Sequence, residues 1–187
     1  MLSKIAFYVA LAGVAVVIQL VLGAPLSEML LPGNHHDQHF EYDCMLGLSL
    51  GLVTVVFSQR SAKLYRWSRR LNEEFRQVLG PLSNQDIFIL AALSGVSEEL
   101  LFRGVLQSQL GLEVTALLFG LAHLPVKKHL WPWTIAAVVM GYLFGLLVAY
   151  RGSLLSAILA HFIINYFNLH FICGHAQHHV IEHAQDE

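Results

Sequence analysis

The sequence predicts an all-α protein, a polytopic transmembrane helical bundle of about six spans with one amphipathic helix on the membrane surface. Of the 187 residues, 56% are hydrophobic and only 13% are charged, whereas about 25% of the residues of a soluble domain are charged. The mean hydropathy is +0.57, and the apolar residues fall in runs long enough to cross a bilayer. We therefore expect a single integral membrane domain over residues 1–187.

Charge and cysteine usage narrow the class of protein further. The net charge is −2, and no basic stripe carries interleaved aromatic residues, so we expect no nucleic-acid partner. The expected partner is the lipid bilayer itself. Two cysteines, Cys44 and Cys173, cannot form a disulfide framework, and the predicted topology places them on opposite sides of the membrane.

Two N-terminal spans are predicted within residues 5–58. Residues 5–23 are apolar and long enough to cross about 30 Å of hydrocarbon. A cleaved signal peptide is the alternative, but Leu22 fits poorly before a cleavage site at Ala24, and the run is long for a signal peptide. The second span is residues 44–58. Both spans lack any recognisable functional motif.

The next segment, residues 60–78, is predicted to be an amphipathic helix. It carries six basic residues, and apolar residues recur at steps of three and four: Leu64, Trp67, Leu71, Phe75 and Val78. This pattern indicates a helix that lies on the membrane surface. It has two interpretations, a lever or lid beside a functional site and an anchor to anionic lipid; we favour the anchor.

Residues 87–172 are predicted to form a core of four spans, and residues 174–187 a polar, His-rich tail. The four spans are residues 87–107, 112–126, 134–150 and 154–172. Ser83 to Asp86 offer N-cap chemistry for the first of them, and Gly141 and Gly145 allow close helix packing.

Six spans put both termini on one side of the membrane. With the N-terminus inside, the predicted inner loops contain nine basic residues and the outer loops contain only Arg151; Arg103 lies within a span and is not counted. The positive-inside rule therefore predicts that both termini are cytoplasmic. In a bacterium this membrane is the plasma membrane.

Polar residues inside the core spans are the main functional signal. Glu98, Glu99 and Arg103 lie in one apolar run, where a charge costs roughly 3 kcal/mol at the centre of a membrane helix. Glu99 and Arg103 are four residues apart and can pair, and we interpret them as a structural ion pair. Glu98 projects about 100° away from Glu99 and has no local partner.

The other core spans supply His123, His161 and Asn165. Phe119 shares a helix face with His123, and His161 shares one with Asn165, because each pair is four residues apart. Counting about 1.5 Å of rise per residue, Glu98 and His161 reach similar depths, roughly 17 and 20 Å from the cytoplasmic edge. His123 comes out nearer that edge and fits if its span is short and tilted, or if the site opens to the cytoplasm.

These side chains are the parts needed to hydrolyse a bond. A single buried His is usually a helix–helix contact worth about 1 kcal/mol. A free carboxylate, two imidazoles and an amide on three separate spans can instead activate water and stabilise an oxyanion. The sequence therefore predicts an active site that contains Glu98, His123, His161 and Asn165.

In order, Glu98-Glu99-xxx-Arg103, Phe119-xxx-His123 and His161-xxx-Asn165 resemble the three motifs of the CAAX protease and bacteriocin-processing family. These are glutamic-type intramembrane endopeptidases related to the prenyl-protein endopeptidases, and the resemblance covers about residues 87–168. It implies a peptide hydrolase acting on a membrane-associated protein or peptide. It also implies that Glu98 and His123 activate water while His161 and Asn165 support the oxyanion, with no cofactor or metal required.

Three other functions remain open at this stage. The first is a zinc-type metalloprotease with Glu98, His123 and His161 as ligands, although the HExxH spacing is missing. The second is a haem protein with His123 and His161 as axial ligands, which leaves the charged residues unexplained. The third is a non-catalytic membrane scaffold or immunity protein.

Histidines outside the core could also bind a metal. They lie in the loop of residues 24–43 and towards the C-terminus: His35, His36, His39, His170, His175, His178, His179 and His183. We interpret both groups as solvated segments, because their spacing is loose and no cysteine supports it.

Overall fold

The computed structural model describes residues 1–32, 39–124 and 130–185, with side chains described as far as residue 173. Within these ranges the chain is helical and contains no β-strand, so the predicted fold class is confirmed. The helices are α1 (Leu2–Val21), α2 (Leu26–Leu30), α3 (Phe40–Leu64), α4 (Arg66–Leu79), α5 (Asn84–Glu99), α6 (Gln107–Leu110), α7 (Leu112–Ala122), α8 (Trp131–Arg151) and α9 (Leu155–Gln185). A π-helical segment, Leu100–Leu106, joins α5 to α6 without a break.

Four of the described helices are long and apolar enough to cross a membrane. They are α1, α3, α8 and the Leu155–Cys173 part of α9. Their outward faces carry large apolar side chains, among them Phe7, Val53, Phe57 and Ile135, which are at least 60% exposed. Apolar surface on this scale is covered by lipid, not water. The protein is therefore an integral membrane protein.

The predicted boundary between the second span and the amphipathic helix is wrong. α3 extends beyond residues 44–58 in both directions, and the helix breaks only at Tyr65, whose backbone is extended. Its first turn contains Glu41 and Asp43, which are favourable at a helix N-terminus. The surface helix is consequently shorter than predicted and begins at Arg66. The loop predicted over residues 24–43 also contains the short helix α2.

The predicted end of the fourth span is also wrong. α7 stops at Ala122, and His123 lies in a turn directly after it. Eleven residues rise about 16 Å, roughly half of the hydrocarbon core. A helix of this length that starts at one face of the membrane ends near mid-depth, so the end of α7 is compatible with the short-span alternative for His123. Residues 125–129, which include Pro125, lie outside the described residues.

The backbone of the predicted polar tail is not separate from the last helix. α9 continues to Gln185, although the side chains from residue 174 onward lie outside the described residues. The remaining predicted spans agree with helices to within a few residues: residues 5–23 with α1, 87–107 with α5 to α6, and 134–150 with α8.

Glycines allow the helices of the core to approach closely. A Cβ atom at Gly47 of α3 would lie 2.6 Å from the backbone oxygen of Ser156 on α9. A Cβ atom at Gly141 of α8 would lie 3.0 Å from the backbone oxygen of Ala116 on α7. α9 therefore packs directly on α3, and α8 packs directly on α7, which holds the polar side chains of these helices in register.

Contacts at the two ends of the bundle show which helix ends lie together. At one end, Lys4 Nζ donates to the backbone oxygen of Leu79 at 2.8 Å, which joins the start of α1 to the end of α4. At the opposite end, Arg151 pairs with the buried Asp43 at 2.7 Å. Cys44 follows Asp43, Cys173 lies far along α9, and both are free thiols.

Candidate active site

Three helices bring one carboxylate and two imidazoles together. Glu98 lies in the last turn of α5, whose start is fixed by a capping box between Ser83 and Asp86. Its Oε2 is 3.7 Å from Nε2 of His123 and 3.9 Å from Nε2 of His161. Both distances are longer than a hydrogen bond, but an oxygen atom placed between the three groups would lie within bonding reach of each.

Glu98 is buried, and no Lys or Arg side chain pairs with it among the described residues. The residue is 8% exposed, and within the described part of the chain its Oε2 has no hydrogen-bond partner. Buried polar atoms without partners are few in folded proteins, and an unpaired buried carboxylate is costly. Such a group is expected where it has chemistry to perform.

The predicted pair between Glu99 and Arg103 is confirmed. Arg103 lies in the π-helical segment and donates from one terminal nitrogen to Glu99 Oε1 at 2.9 Å. The other terminal nitrogen donates to the backbone oxygen of Gly141 on α8 at 3.0 Å. The guanidinium also lies 4.3 Å from the centre of the Phe119 ring, within the range of a cation–π contact. Arg103 thus ties α5, α7 and α8 together.

His161 joins this ion pair, a contact that the sequence did not indicate. Its Nδ1 lies 2.8 Å from Glu99 Oε1. Because Glu99 is paired with Arg103, it is a carboxylate and accepts, so Nδ1 of His161 donates. The His161 ring stacks on Phe144, with ring centres 5.2 Å apart. The other ring nitrogen, Nε2, is thereby turned towards Glu98.

His123 is fixed by its own helix and by the start of α8. Its Nδ1 lies 2.7 Å from the backbone oxygen of Phe119; since a carbonyl oxygen only accepts, Nδ1 carries a proton. The Thr134 hydroxyl donates to the His123 backbone oxygen at 3.2 Å. The Trp133 ring lies edge-on to the imidazole at 5.7 Å. In neutral His123 the nitrogen facing Glu98 is consequently an acceptor.

Phe119 fills the space between the polar groups. It is 3% exposed, and its ring lies 4.6 Å from the His123 ring and 6.0 Å from the His161 ring. The expectation that Phe119 and His123 share a face is confirmed. The aromatic ring lies beside both imidazoles and excludes water there, which strengthens electrostatic contacts.

Asn165 does not join the cluster directly. It lies one turn beyond His161 on α9, and its amide donates to the Ser94 hydroxyl on α5 at 2.8 Å. Ser94 is itself one turn before Glu98. The two residues therefore bridge α5 and α9 beside the site. Sequence reasoning missed Ser94, Phe144, Trp133 and Thr134, since each acts through a contact between distant helices that no local spacing reveals.

Possible metal ligands occur both in this cluster and elsewhere in the chain. Within the described ranges, no group of three or more His, Cys, Asp or Glu side chains is arranged to hold a metal ion. Of the loop histidines, His39 contacts Glu41 at 3.1 Å, whereas His35 and His36 lie outside the described residues. In the C-terminal group, His170 packs edge-on against Tyr166. The side chains of His175, His178, His179 and His183 lie outside the described residues.

Residues 82–167 match the family model described as Type II CAAX prenyl endopeptidase Rce1-like. The match begins just before α5 and ends two residues after Asn165, so it contains every residue of the candidate site. This part of the chain is therefore similar to the CAAX protease and bacteriocin-processing family, in agreement with its three motifs.

One curated relative is similar to more than half of the chain. The uncharacterized protein YpbD of Bacillus subtilis (strain 168) is 32% identical over 114 residues, 60% of this chain. The aligned region spans 57% of that relative's length. No solved structure matches the chain.

Proposed function

We propose that the protein is an intramembrane endopeptidase that hydrolyses a peptide bond of a membrane-associated protein or peptide. The observation that carries the proposal is the position of Glu98 Oε2, which lies 3.7 and 3.9 Å from the Nε2 atoms of two imidazoles on other helices. The similarity of residues 82–167 to the Rce1-like family model supports proteolysis in general. The substrate and the individual roles of the residues are proposals.

In the proposed reaction, Glu98 accepts a proton from water. The water oxygen forms a bond to the carbonyl carbon of the substrate, and the carbonyl oxygen becomes an oxyanion. His123 orients the water through Nε2, which accepts a hydrogen bond in the neutral ring. The C–N bond then breaks, and Glu98 returns its proton to the leaving amine.

The oxyanion is assigned to His161 and Asn165. His161 already donates from Nδ1 to Glu99, so it can donate from Nε2 as well only when it is an imidazolium. The Asn165 amide has a second N–H besides the one that reaches Ser94. A donor of this kind is worth roughly 3 kcal/mol in the transition state.

The topology that accompanies this function has six crossings with both termini in the cytoplasm. It is supported by the excess of basic residues in the predicted inner loops. A single-cysteine test would settle it: with Cys44 and Cys173 replaced by serine, cysteine at the exposed positions Gln77 and Gln109 should react with membrane-impermeant reagents from opposite sides. Labelling of both from the same side would contradict this topology.

The function is tested by comparing cells that contain the native protein with cells that contain Glu98→Gln. Mass spectrometry of protein and peptide ends should find substrates that stay uncut only with the variant. Prenylated C-termini, peptide leaders and membrane-anchoring tails are the classes to search first. If no uncut substrate accumulates while the variant is present at the native level, the endopeptidase proposal fails.

A further inference from the structure

The surface helix α4 lies in contact with the residues that hold His123. Phe75 of α4 packs edge-on against Trp133, with ring centres 5.0 Å apart. Trp133 in turn lies edge-on to the His123 ring at 5.7 Å. Two aromatic contacts therefore join a helix outside the core spans to a residue of the candidate site.

The other faces of α4 and the end of α3 suit a charged membrane surface. Six basic and two acidic residues lie between residues 60 and 79. Arg66, Arg69 and Arg70 are exposed, and so are apolar groups beside them: Leu64 at 70%, Tyr65 at 52%, Trp67 at 44% and Val78 at 78%. Basic residues next to exposed aromatic residues are the combination that binds an anionic bilayer surface.

We propose that this basic surface binds anionic phospholipid headgroups, and that Phe75 and Trp133 transmit the contact to His123. Binding of α4 to an anionic membrane would hold Phe75 in its contact with Trp133, and Trp133 would then restrict the imidazole that faces Glu98. Trp133 is thus a positioning residue. The link to turnover rests on the proposed function, whereas the lipid contact and the change at Trp133 do not.

The transmission can be measured without any substrate. The chain has three tryptophans, so Trp67→Phe together with Trp131→Phe leaves Trp133 as the only emitter and keeps an aromatic ring at each position. The full chain is placed in nanodiscs of phosphatidylcholine with or without phosphatidylglycerol. We expect the Trp133 emission to change when phosphatidylglycerol is present, and the change to disappear at about 1 M salt, where charges are screened beyond about 3 Å.

Variants separate the lipid contact from its transmission through Phe75 and Trp133. In the single-tryptophan background, Arg66→Gln with Arg70→Gln should require more phosphatidylglycerol for the same change, since each basic residue strengthens binding to anionic lipid roughly fivefold. Phe75→Leu should remove the change, and Phe75→Tyr should restore it. Phe88→Leu is the matched control, because Phe88 packs on Phe162 and Tyr166 instead.

The result is decisive in either direction. Equal Trp133 emission in the two lipids, or a change that survives Phe75→Leu, would overturn the proposal. Loss of the change in Phe88→Leu as well would overturn it too. Once a substrate is identified, phosphatidylglycerol should raise kcat by severalfold with little effect on KM, and Phe75→Leu should abolish this gain. Failure to find any substrate would count against the proposed function but would leave the emission result standing.

Discussion

His161 donates a hydrogen bond from Nδ1 to Glu99 at a distance of 2.8 Å. The second glutamate of the pair is therefore more than the partner of Arg103, because it also fixes the ring whose other nitrogen faces Glu98. Glu98 is thus left unpaired for chemistry. Glu99, its neighbour in sequence, orients His161, whose ring faces Glu98.

Glu98→Gln and His123→Ala should abolish cleavage while the protein remains folded. Glu98 pairs with no Lys or Arg side chain within the described contacts. Its two imidazole neighbours lie beyond hydrogen-bond distance, and its Oε2 lacks a hydrogen-bond partner. Loss of the proton acceptor should cost at least 100-fold in rate, the lower range for general acid–base catalysis. Thermal unfolding in detergent should stay close to that of the native protein. Residual activity near the native level in either variant would contradict the assigned roles.

The main effect of Arg103→Ala should be a lower thermal stability and a lower yield of the protein in membranes. The substitution leaves Glu99, which is 0% exposed, as a buried charge without its cation, and breaking such a pair costs about 3–5 kcal/mol. Arg103→Lys should recover little, because a lysine cannot reach Glu99 and the Gly141 carbonyl with the same planar fork. The check is the unfolding temperature and the yield in membranes. An unchanged unfolding temperature in Arg103→Ala would show that the pair is not structural.

Glu99→Gln separates the structural role from the positioning role. The amide oxygen still accepts from His161 Nδ1, but the negative charge is lost. We expect reduced stability together with a roughly 10- to 100-fold fall in kcat, the range known for mutating the outer partner of a metal-bound histidine. The matched comparison is Arg103→Ala measured below its unfolding temperature. If Glu99→Gln loses stability but keeps full kcat, the carboxylate is structural only.

The sequence could predict that Glu98, His123 and His161 lie close together, but it wrongly grouped Asn165 directly with them and missed several contacts around them. Arg103 pairs with Glu99 through helical spacing, and Ser83 caps α5, because both interactions are local. The end of α7 at Ala122 could not be read reliably, since an apolar run continues past it to Val126. The Glu99–His161 and Asn165–Ser94 contacts join residues more than 60 positions apart, and only the packing of α9 on α5 creates them.

Metal dependence distinguishes the proposed mechanism from the zinc alternative. Glu98, His123 and His161 are the ligands that this alternative requires, and zinc binds imidazole and carboxylate at about 2.0–2.2 Å. We expect the purified protein to contain less than one equivalent of zinc and to keep its activity after chelation. Chelator-sensitive activity that is restored by added zinc would favour the metalloprotease instead. Glu98→Gln, already inactive, serves as the blank for both measurements.

Asn165 can be tested through its hydrogen-bond partner. If its amide only ties α9 to α5, then Asn165→Ala and Ser94→Ala should behave alike, since each removes the same bond, worth about 1 kcal/mol. If Asn165 also donates to the oxyanion, as we propose, Asn165→Ala should lose roughly 100-fold in kcat and Ser94→Ala much less. Both variants should unfold at similar temperatures, which makes the ratio of their kcat values the informative quantity. Equal kcat values would remove Asn165 from the catalytic set and leave His161 as the remaining donor to the oxyanion.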